Sequence, residues 1–560
     1  MTQSLATTFQ RFRDRYVAQI NMLRNRHAMV NVALPPELLS RIFLFVANLR
    51  SGRHKALVAS TCWQMLASRS WVRVMRVCRY WREVALMDPQ LWGCVVWLGE
   101  DAFPGDKKWI SRWKRHGGHD ISSYVSEWLH RSARGMLDVN LFGVRNFGTF
   151  TDELAARCEN IKHLRICGCA AGVFAALNEN APNLESLSIK GNTADQELPL
   201  LFQGNTPRLR SLILARIKNF PEHNFRQLIN LRLRRQHYST LEDISRLLEV
   251  LRSSPSMEEL EFELCSAEQN SGRLIPQEST PTLYIPLPNL NHLHIWQCNP
   301  QFAEGVLRYL HVPTLNLAAS CTDEEHPDTM ISLFDPDGAA SCLRPLLSAP
   351  TYEVAFRDKC IRAVSLASGS ALNISSTSPF WTEAAFKFMQ RTTPFRAVQE
   401  LWISGQDSIV DSRREWQELF GGLPALSNLV LVSGSEVCAS SRDRLRALAP
   451  ADDIDSTTNY PVPALLSLKC VGEWPVGSFR DVLTPTVAKR DRDGYRLQSL
   501  HVSLVGVTLR SDWSEDRLAE GCIEEQRQHV DRVIYDTVAH LPSISLPSAC
   551  QNCAEYRKSS

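Results

Sequence analysis

Residue types that bind metals or act as nucleophiles occur in this sequence, but never in a complete set. The cysteine pairs are Cys167 with Cys169 and Cys550 with Cys553, and the closely spaced histidines are His116, His119 and His130. A structural zinc site requires four ligands, and neither cysteine pair has an evident partner pair. No serine-hydrolase, zinc-protease, P-loop or dinucleotide-binding motif is present. The sequence therefore predicts no catalytic residue, no metal site and no cofactor, and it favours a non-enzymatic protein.

A basic and aromatic stretch at 107–115 has the residue types that contact nucleic acid. Its members are Lys107, Lys108, Trp109, Arg112, Trp113, Lys114 and Arg115. The net charge of +2 gives the chain no general attraction to nucleic acid or acidic lipid. We therefore favour an amphipathic helix here, in which Trp109, Trp113 and Trp128 dock an N-terminal module onto the rest of the chain while the basic side chains face water.

The stretch 31–46, NVALPPELLSRIFLFV, predicts a turn followed by an apolar helix. Its apolar side chains are Leu38, Leu39, Ile42, Phe43, Leu44, Phe45 and Val46. One helix does not need this many apolar residues to face a single core. The surplus indicates that the helix contacts a second apolar surface.

Further helices flank this stretch on both sides. Residues 70–86 carry an apolar stripe of Val74, Val77, Cys78, Trp81, Val84 and Ala85. This helix should end before Asp88-Pro89, because a residue that precedes proline avoids the helical conformation. Residues 90–99 then predict a short strand or a buried segment. Near the N-terminus, Phe9, Phe12, Tyr16, Ile20 and Leu23 share one helix face, which either packs on the next domain or forms a short coiled-coil arm.

From about residue 137 the chain repeats the pattern L-x-x-L-x-[LIV]. The copies lie at 160–166, 182–189, 207–214, 228–233, 255–262, 287–295, 397–403, 423–431, 463–470 and 496–502. The marker leucines of the first six copies are Leu164, Leu187, Leu212, Leu231, Leu260 and Leu293. Their spacing scatters around the leucine-rich-repeat period of about 20–29 residues. The pattern predicts parallel strands and intervening helices that stack into an α/β solenoid with one continuous core.

The alternation along each strand turns the marker leucines inward and leaves the residues between them outward. The outward positions are Arg165, Ser188, Ile213, Arg232, Glu261 and His294. The repeats are interrupted between 317 and 397, where TYEVAF and IRAVSL are interpreted as strands of degenerate repeats. Residues 514–541 predict a C-terminal helix that caps the array, followed by a disordered tail.

Residues 34–92 resemble an F-box. The matching motifs are Leu34-Pro35-Pro36-Glu37-Leu38, Ile42-Phe43, Val77-Cys78-Arg79-Tyr80-Trp81-Arg82, Pro89 and Leu91-Trp92. With divergent repeats behind it, the whole chain resembles the fungal proteins that place an F-box ahead of leucine-rich repeats. Leu34 and Val77 are 43 residues apart, more than a compact F-box needs, so the resemblance implies an insertion within 48–69.

The resemblance implies that the surplus apolar surface binds a Skp-type adaptor, which joins the chain to a cullin–RING ubiquitin ligase. The adaptor contacts it implies are Leu34, Pro35, Leu38, Ile42, Phe43, Val77, Cys78 and Trp81. The chain itself would do no chemistry and would hold a target protein near the conjugating enzyme, which raises the effective concentration. The alternative is an adaptor-bound scaffold outside the ligase cycle. For the target protein we select Arg232, Trp296 and Trp402, unless both tryptophans pack inside the array.

These patterns together predict five segments and a location. The segments are an N-terminal amphipathic helix at 1–30, an F-box with an insertion at 31–98, a helical linker at 99–136, a leucine-rich-repeat-like solenoid at 137–505, and a capping helix with a flexible tail at 506–560. No apolar run reaches the roughly 18 residues that a membrane span needs, and the first residues do not resemble a signal peptide. We expect a cytoplasmic or nuclear protein whose cysteines are free thiols.

Overall fold

The computed structural model forms two compact units that divide between Arg226 and Gln227. The structure describes parts of 10–24 and the ranges 28–51, 69–98, 121–132, 135–143, 150–168, 172–175, 177–191, 198–217, 225–267, 284–312, 316–321, 352–357, 360–365, 370–376, 397–404, 413–433, 439–450, 460–472, 479–505 and 516–538. Several features named above lie outside these ranges: most of the insertion at 52–68, the basic stretch 107–115, His116, His119, Cys169, Cys550, Cys553 and the tail from 539 onward.

The described residues between 10 and 24 are helical, as the sequence pattern predicts. Phe12, Tyr16 and Leu23 on the apolar face are all exposed. Of the two interpretations of this face, packing on the next domain is therefore contradicted.

Short helices form the next part of the first unit. They are α1 at Met29–Ala33, α2 at Pro36–Ser51, a 3-10 helix at Arg69–Arg76, α3 at Arg79–Met87, a 3-10 helix at Pro89–Trp92 and α4 at Ile121–Ser132. The single helix expected over 70–86 is thus broken. The break falls at Cys78, whose extended backbone and thiol cap the start of α3 by accepting a hydrogen bond from the Trp81 N–H at 3.4 Å.

Five parallel strands follow these helices in the first unit. They are β1 at Cys94–Leu98, β2 at Leu137–Phe142, β3 at Ile161–Cys167, β4 at Ser186–Lys190 and β5 at Ser211–Ala215, and each pairs with the next. The strand expected within 90–99 is β1. Short helices α5 at Phe150–Ala155 and α6 at Gly172–Ala175 lie between strands.

A left-handed residue ends most of these strands. Gly143 and Gly168 have positive φ, and each donates its N–H to the carbonyl of the last residue of the next strand, at 2.8 and 2.9 Å. Arg235 and Leu264 do the same in the second unit at 2.6 and 2.8 Å, although they have side chains. A non-glycine residue in this left-handed conformation costs about 1 kcal/mol. The stacking of the strands therefore imposes this conformation at the residue that follows each of them.

The second unit contains the remaining strands and helices. Its strands are β6 at Asn230–Arg234, β7 at His237–Tyr238, β8 at Glu259–Glu263, β9 at Ser266–Ala267, β10 at Ile285–Pro286, β11 at His292–Trp296, β12 at Leu310–His311, β13 at Asn316–Cys321, β14 at Tyr352–Arg357, β15 at Cys360–Ser365, β16 at Ala371–Ser376, β17 at Val398–Ser404, β18 at Asn428–Ser433, β19 at Ser467–Gly472, β20 at Leu497–Val505 and β21 at Val530–Val538. Its helices are α7 at Leu241–Arg252, α8 at Pro300–Leu307, α9 at Arg413–Gly421, α10 at Ala439–Arg446, α11 at Thr484–Arg492 and α12 at Asp516–His529.

One strand of the second unit reverses the parallel pattern. The spatial order is β6, β8, β11, β13, β16, β15, β14, β17, β18, β19, β20 and β21, and only β15 runs antiparallel to its neighbours. The interpretation of TYEVAF and IRAVSL as repeat strands is therefore wrong for IRAVSL, which forms the reversed strand β15, whereas TYEVAF forms β14 and pairs in parallel with β17. Likewise, the C-terminal helix ends at His529, and the β-branched residues after it form β21 instead of a longer helix.

The marker leucines stack in register, as the sequence pattern predicts. Leu164 pairs with Leu187 and Leu187 with Leu212, while Leu231 pairs with Leu260 and Leu260 with Leu293. All six side chains are buried, which confirms their predicted burial. The structure is therefore a mixed α/β fold of parallel strands behind a small helical N-terminal region.

A buried arginine joins three segments of the second unit. Arg490 in α11 is 1 % exposed, and its guanidinium donates to the carbonyls of Leu448, Pro461 and Val462 at 2.8, 3.2 and 3.0 Å. The same group lies 5.3 Å from the Tyr460 ring centre. Because buried carbonyls need hydrogen-bond donors, the arginine satisfies the Leu448 and Pro461 carbonyls, while the Val462 carbonyl also accepts from the Leu465 N–H at 3.2 Å.

None of the helices in the described part of the chain has the length and apolar character needed to span a bilayer.

Candidate functional site

Helix α2 presents two apolar faces. Leu39 and Phe43 are each 1 % exposed, whereas Leu38, Ile42 and Phe45 are 44 %, 43 % and 62 % exposed. The second set has the i, i+4, i+7 spacing of one helix face. The surplus of apolar residues noted in the sequence is therefore a separate, solvent-facing stripe, which we call the α2 stripe (Leu38, Ile42 and Phe45).

The inner face of α2 packs on aromatic rings. Phe43 lies 5.2 Å from Trp81 between ring centres, and Trp92 lies 5.0 Å from Trp128. Val84, Ala85 and Leu91 complete this core. Trp128 thus docks α4 onto the N-terminal helices. Of the three tryptophans predicted to dock, Trp128 is the one that lies in the described residues. The packing fixes which side of α2 is buried and so which side remains for another molecule.

Polar groups hold the start of α2 against the start of α3. The Trp81 indole N–H donates to Asn31 Oδ1 at 2.6 Å, and the Tyr80 hydroxyl donates to the Leu34 carbonyl at 3.1 Å. The Asn31 amide nitrogen also lies 3.7 Å from the Cys78 thiol sulfur. These bonds place the residues around Leu34 next to Cys78, although the two are far apart in sequence.

The structure divides the eight predicted contact residues by exposure. Pro35, Leu38, Ile42 and Val77 are exposed, Leu34, Cys78 and Trp81 are half-buried, and Phe43 is buried. Phe43 therefore belongs to the internal core. Phe45 was not selected from the sequence, yet it is the most exposed of the α2 stripe, and its helical spacing from Leu38 and Ile42 could have identified it. No sequence pattern pointed to Asn31, which accepts the hydrogen bond of the Trp81 indole.

The residues selected for target binding lie on the outer face of the strands of the second unit, opposite the leucine rows. Arg232 is bound between Glu259 and Glu261 at 3.3 and 3.2 Å, and Arg234 between Glu261 and Glu263 at 2.7 and 3.0 Å. Arg232 is therefore already neutralised by the neighbouring strand β8.

Trp296 and Trp402 are half-buried on the same outer face. Trp402 packs beside Val430, Val432 and Val471, and its indole N–H donates to Glu400 Oε1 at 2.5 Å. Neither tryptophan alternates into the leucine rows, so packing inside the array is not observed.

One cluster has the residue types of a catalytic triad but not its geometry. The His501 Nε2 atom lies 2.9 Å from Asp536 Oδ2 and 3.2 Å from Ser503 Oγ. A triad needs the carboxylate and the hydroxyl on opposite ring nitrogens, and here both contact the same one. Burial raises the pKa of the Cys158 and Cys470 thiols to about 12, which keeps them protonated and poorly nucleophilic. Within the described residues, no group of three metal-ligating side chains is present.

A family model described as F-box-like matches residues 32–96 of the chain. This range contains α2, α3, the α2 stripe and all eight predicted contact residues. No curated protein matches the chain.

Proposed function

We propose that this chain is the substrate-recognition subunit of a Skp–cullin–F-box ubiquitin ligase. The F-box-like domain would bind a Skp-type adaptor, and the repeats would bind the protein to be ubiquitinated. The observation that carries the proposal is the α2 stripe within the matched domain. This domain leaves exposed one apolar face of a helix whose other face already fills its core.

The adaptor surface would centre on the α2 stripe, with Pro35 and Val77 beside it. Apolar anchors at the centre of an interface typically cost about 2 kcal/mol or more when they are truncated. Because Phe43 and Leu39 are internal, changes there would weaken binding only through unfolding. The proposal therefore separates binding residues from core residues on one helix.

The repeats behind the domain would form a leucine-rich-repeat solenoid. The repeat pattern extends to L-x-x-L-x-L-x-x-[N/C]-x-L in that family, and the N/C position is filled here by Gln236, Cys265 and Cys298, all buried. The Cys265 thiol donates to the Leu233 carbonyl of the preceding repeat at 3.4 Å, and the Cys298 sulfur accepts from the Cys265 N–H at 3.4 Å. Bonds of this kind between successive copies support a stacked array like that of the fungal F-box proteins with leucine-rich repeats.

The outer face of the array would be the substrate surface, since the inner face is filled by leucines. Trp296 and Trp402 are half-exposed aromatic side chains on this face, and such residues are enriched in binding hot spots. Arg232 would contribute as part of its ion-pair cluster with Glu259 and Glu261. The chain would act as a non-catalytic, cytoplasmic or nuclear receptor.

The test is capture of the adaptor from cells by the tagged full chain. The double variant Leu38→Glu with Ile42→Glu places two charges on the α2 stripe and should abolish capture. Leu466→Glu changes an equally exposed leucine of the second unit and should capture adaptor normally. Melting curves of all three proteins should coincide, because each changed side chain is exposed. Normal capture by the double variant would contradict the proposed surface. Copurification of the cullin with the adaptor separates a ligase subunit from an adaptor-bound scaffold.

A further inference from the structure

Three cationic side chains gather towards one end of the strands of the first unit. Arg165 and Cys167 lie two residues apart on the outer face of β3, and Cys167 pairs with Lys190 of β4. Lys190 pairs in turn with Ala215, the residue before Arg216. From strand geometry, the Cα atom of Lys190 lies about 8 Å from that of Arg165 and about 6 Å from that of Arg216. We call these three residues the cationic edge.

Lys190 and Arg216 of the cationic edge are not neutralised in the way that other charges of this fold are. In the described part of the chain, neither Lys190 nor Arg216 forms an ion pair or a side-chain hydrogen bond. On the outer face of the strands of the second unit, by contrast, Arg232 lies between two glutamates. Like charges this close repel one another, which costs stability unless an anion is present.

The acidic groups of the strands of the first unit lie at their opposite end. Asp138 is 3.8 Å from the His163 ring, and Glu185 is 3.4 Å from the Lys162 ammonium. These groups lie about 13 Å or more along the strands from Lys190 and Arg216, beyond the Debye length of about 8 Å at physiological salt. They therefore do little to offset the charge of these two residues.

The same positive charges act on the pKa of the Cys167 thiol. Burial raises its pKa, and the charges that act against this are Lys190, Arg165 and Arg216, all of which lower it. This agrees with the geometry, in which the cationic edge surrounds the thiol.

The shape and side chains of this region indicate the class of ligand. Ser186 and Ser188 of β4 lie beside His163 and Arg165 of β3, so small side chains leave a shallow open strip next to the cations. The three charges extend over more than 10 Å, which suits a row of carboxylates better than one small anion. Single-stranded nucleic acid is bound on aromatic platforms, and among the paired outer positions of β3 to β5 only His163 carries an aromatic ring.

We propose that the cationic edge binds an acidic segment of a partner protein, a short run of aspartate and glutamate residues. The inference rests on the proposed function only in treating that partner as the captured substrate. Lys190 and Arg216 form charge-assisted contacts to the carboxylates, and Arg165 extends the row along β3.

The test measures binding of a fluorescent octaglutamate peptide to the full chain by anisotropy. Lys190→Glu with Arg216→Glu should weaken binding at least tenfold, and added salt should weaken binding to the parent protein. The matched control is Lys469→Glu with Arg235→Glu, because Lys469 also lies on an outer strand position and Arg235 has the same left-handed backbone as Arg216. This control should bind like the parent. The milder variant Lys190→Gln with Arg216→Gln should give an intermediate loss and shows that the effect is not misfolding.

Several outcomes would overturn the inference. They are absence of octaglutamate binding, equal binding by the parent and both double variants, and tighter binding of a decauridine RNA than of the peptide. Adaptor capture, measured on the same proteins, reports the proposed function separately. If the parent protein binds the peptide but does not capture the adaptor, the ligase assignment is refuted. If it captures the adaptor normally but does not bind the peptide, only the proposed role of the cationic edge is refuted.

Discussion

Replacement of Arg490 by methionine should loosen the segments that its guanidinium joins. The Leu448 and Pro461 carbonyls are left unsatisfied, at a cost of about 1–3 kcal/mol each, whereas the Val462 carbonyl keeps its hydrogen bond from the Leu465 N–H. Removing the buried cation returns several kcal/mol of desolvation energy, so the net loss should lie near the lower end, at about 2 kcal/mol. The loss is local to residues 439–450 and 460–466, which carry or adjoin those carbonyls.

Amide hydrogen exchange measured by mass spectrometry reads this loss directly. A decrease of about 2 kcal/mol in the opening free energy speeds exchange roughly thirtyfold. The amides of Ala447, Leu448 and Leu465 are hydrogen-bonded within these segments and serve as probes. Arg492→Met is the matched control, because Arg492 is exposed on the same helix and its replacement should leave exchange unchanged.

The comparison with Arg490→Lys makes the reasoning refutable. Lysine keeps the buried charge, but its ammonium cannot reach three carbonyls as the planar guanidinium does, so this variant should be less stable than Arg490→Met at neutral pH. Burial lowers the pKa of such a lysine, so the unfolded chain binds more protons and stability rises with pH toward about 10. Unchanged exchange in the methionine variant, or parent-like stability in the lysine variant, would refute the assigned role.

Two further predictions concern pH and register. Hydrogen bonds from His529 and Arg496 lower the pKa of Asp491. The ionised carboxylate therefore stabilises the folded state above its unfolded pKa of about 3.9, and this stabilisation is lost as the pH falls through its folded pKa. Thermal melting from about pH 6 to about pH 2 should therefore show a smaller acid-induced loss in Asp491→Asn, and an unchanged profile would contradict the shift. Leu212→Asp should cost several kcal/mol by burying an unpaired charge, while Ser211→Asp on the half-buried outer face should cost much less, and equal melting of the two variants would show that the register is wrong.

The leucine pattern was sufficient to predict the strand register, because each marker leucine must be buried and a one-residue shift would expose it. Leu231, Leu260 and Leu293 illustrate this. The pattern could not predict the reversal at β15, since alternation is the same for either strand direction. The end of α12 was missed because Asp516 to His529 has helical periodicity, and only the β-branched residues from Val530 signal a strand.

The candidate site was predicted in part. Helix periodicity separates Leu38, Ile42 and Phe45 from Leu39 and Phe43, but it does not reveal which set is buried. That choice depends on Trp81 and Trp128, which reach α2 through the fold and not through the sequence. For the same reason the bond from Trp81 to Asn31 had no sequence signal.

The reversed strand β15 has a consequence for how the second unit assembles. Leu231 pairs with Leu260, 29 residues later, and strands with such spacing can add one after another. At the reversal, Leu317 must instead meet Leu372, 55 residues later, and Val354 must meet Leu401, 47 residues later. The added loop-closure entropy is only about 0.6 kcal/mol, but longer-range contacts slow folding more than they lower stability. The strands before and after β14 to β16 can therefore grow as separate nuclei, and joining them across this meander is the slow step.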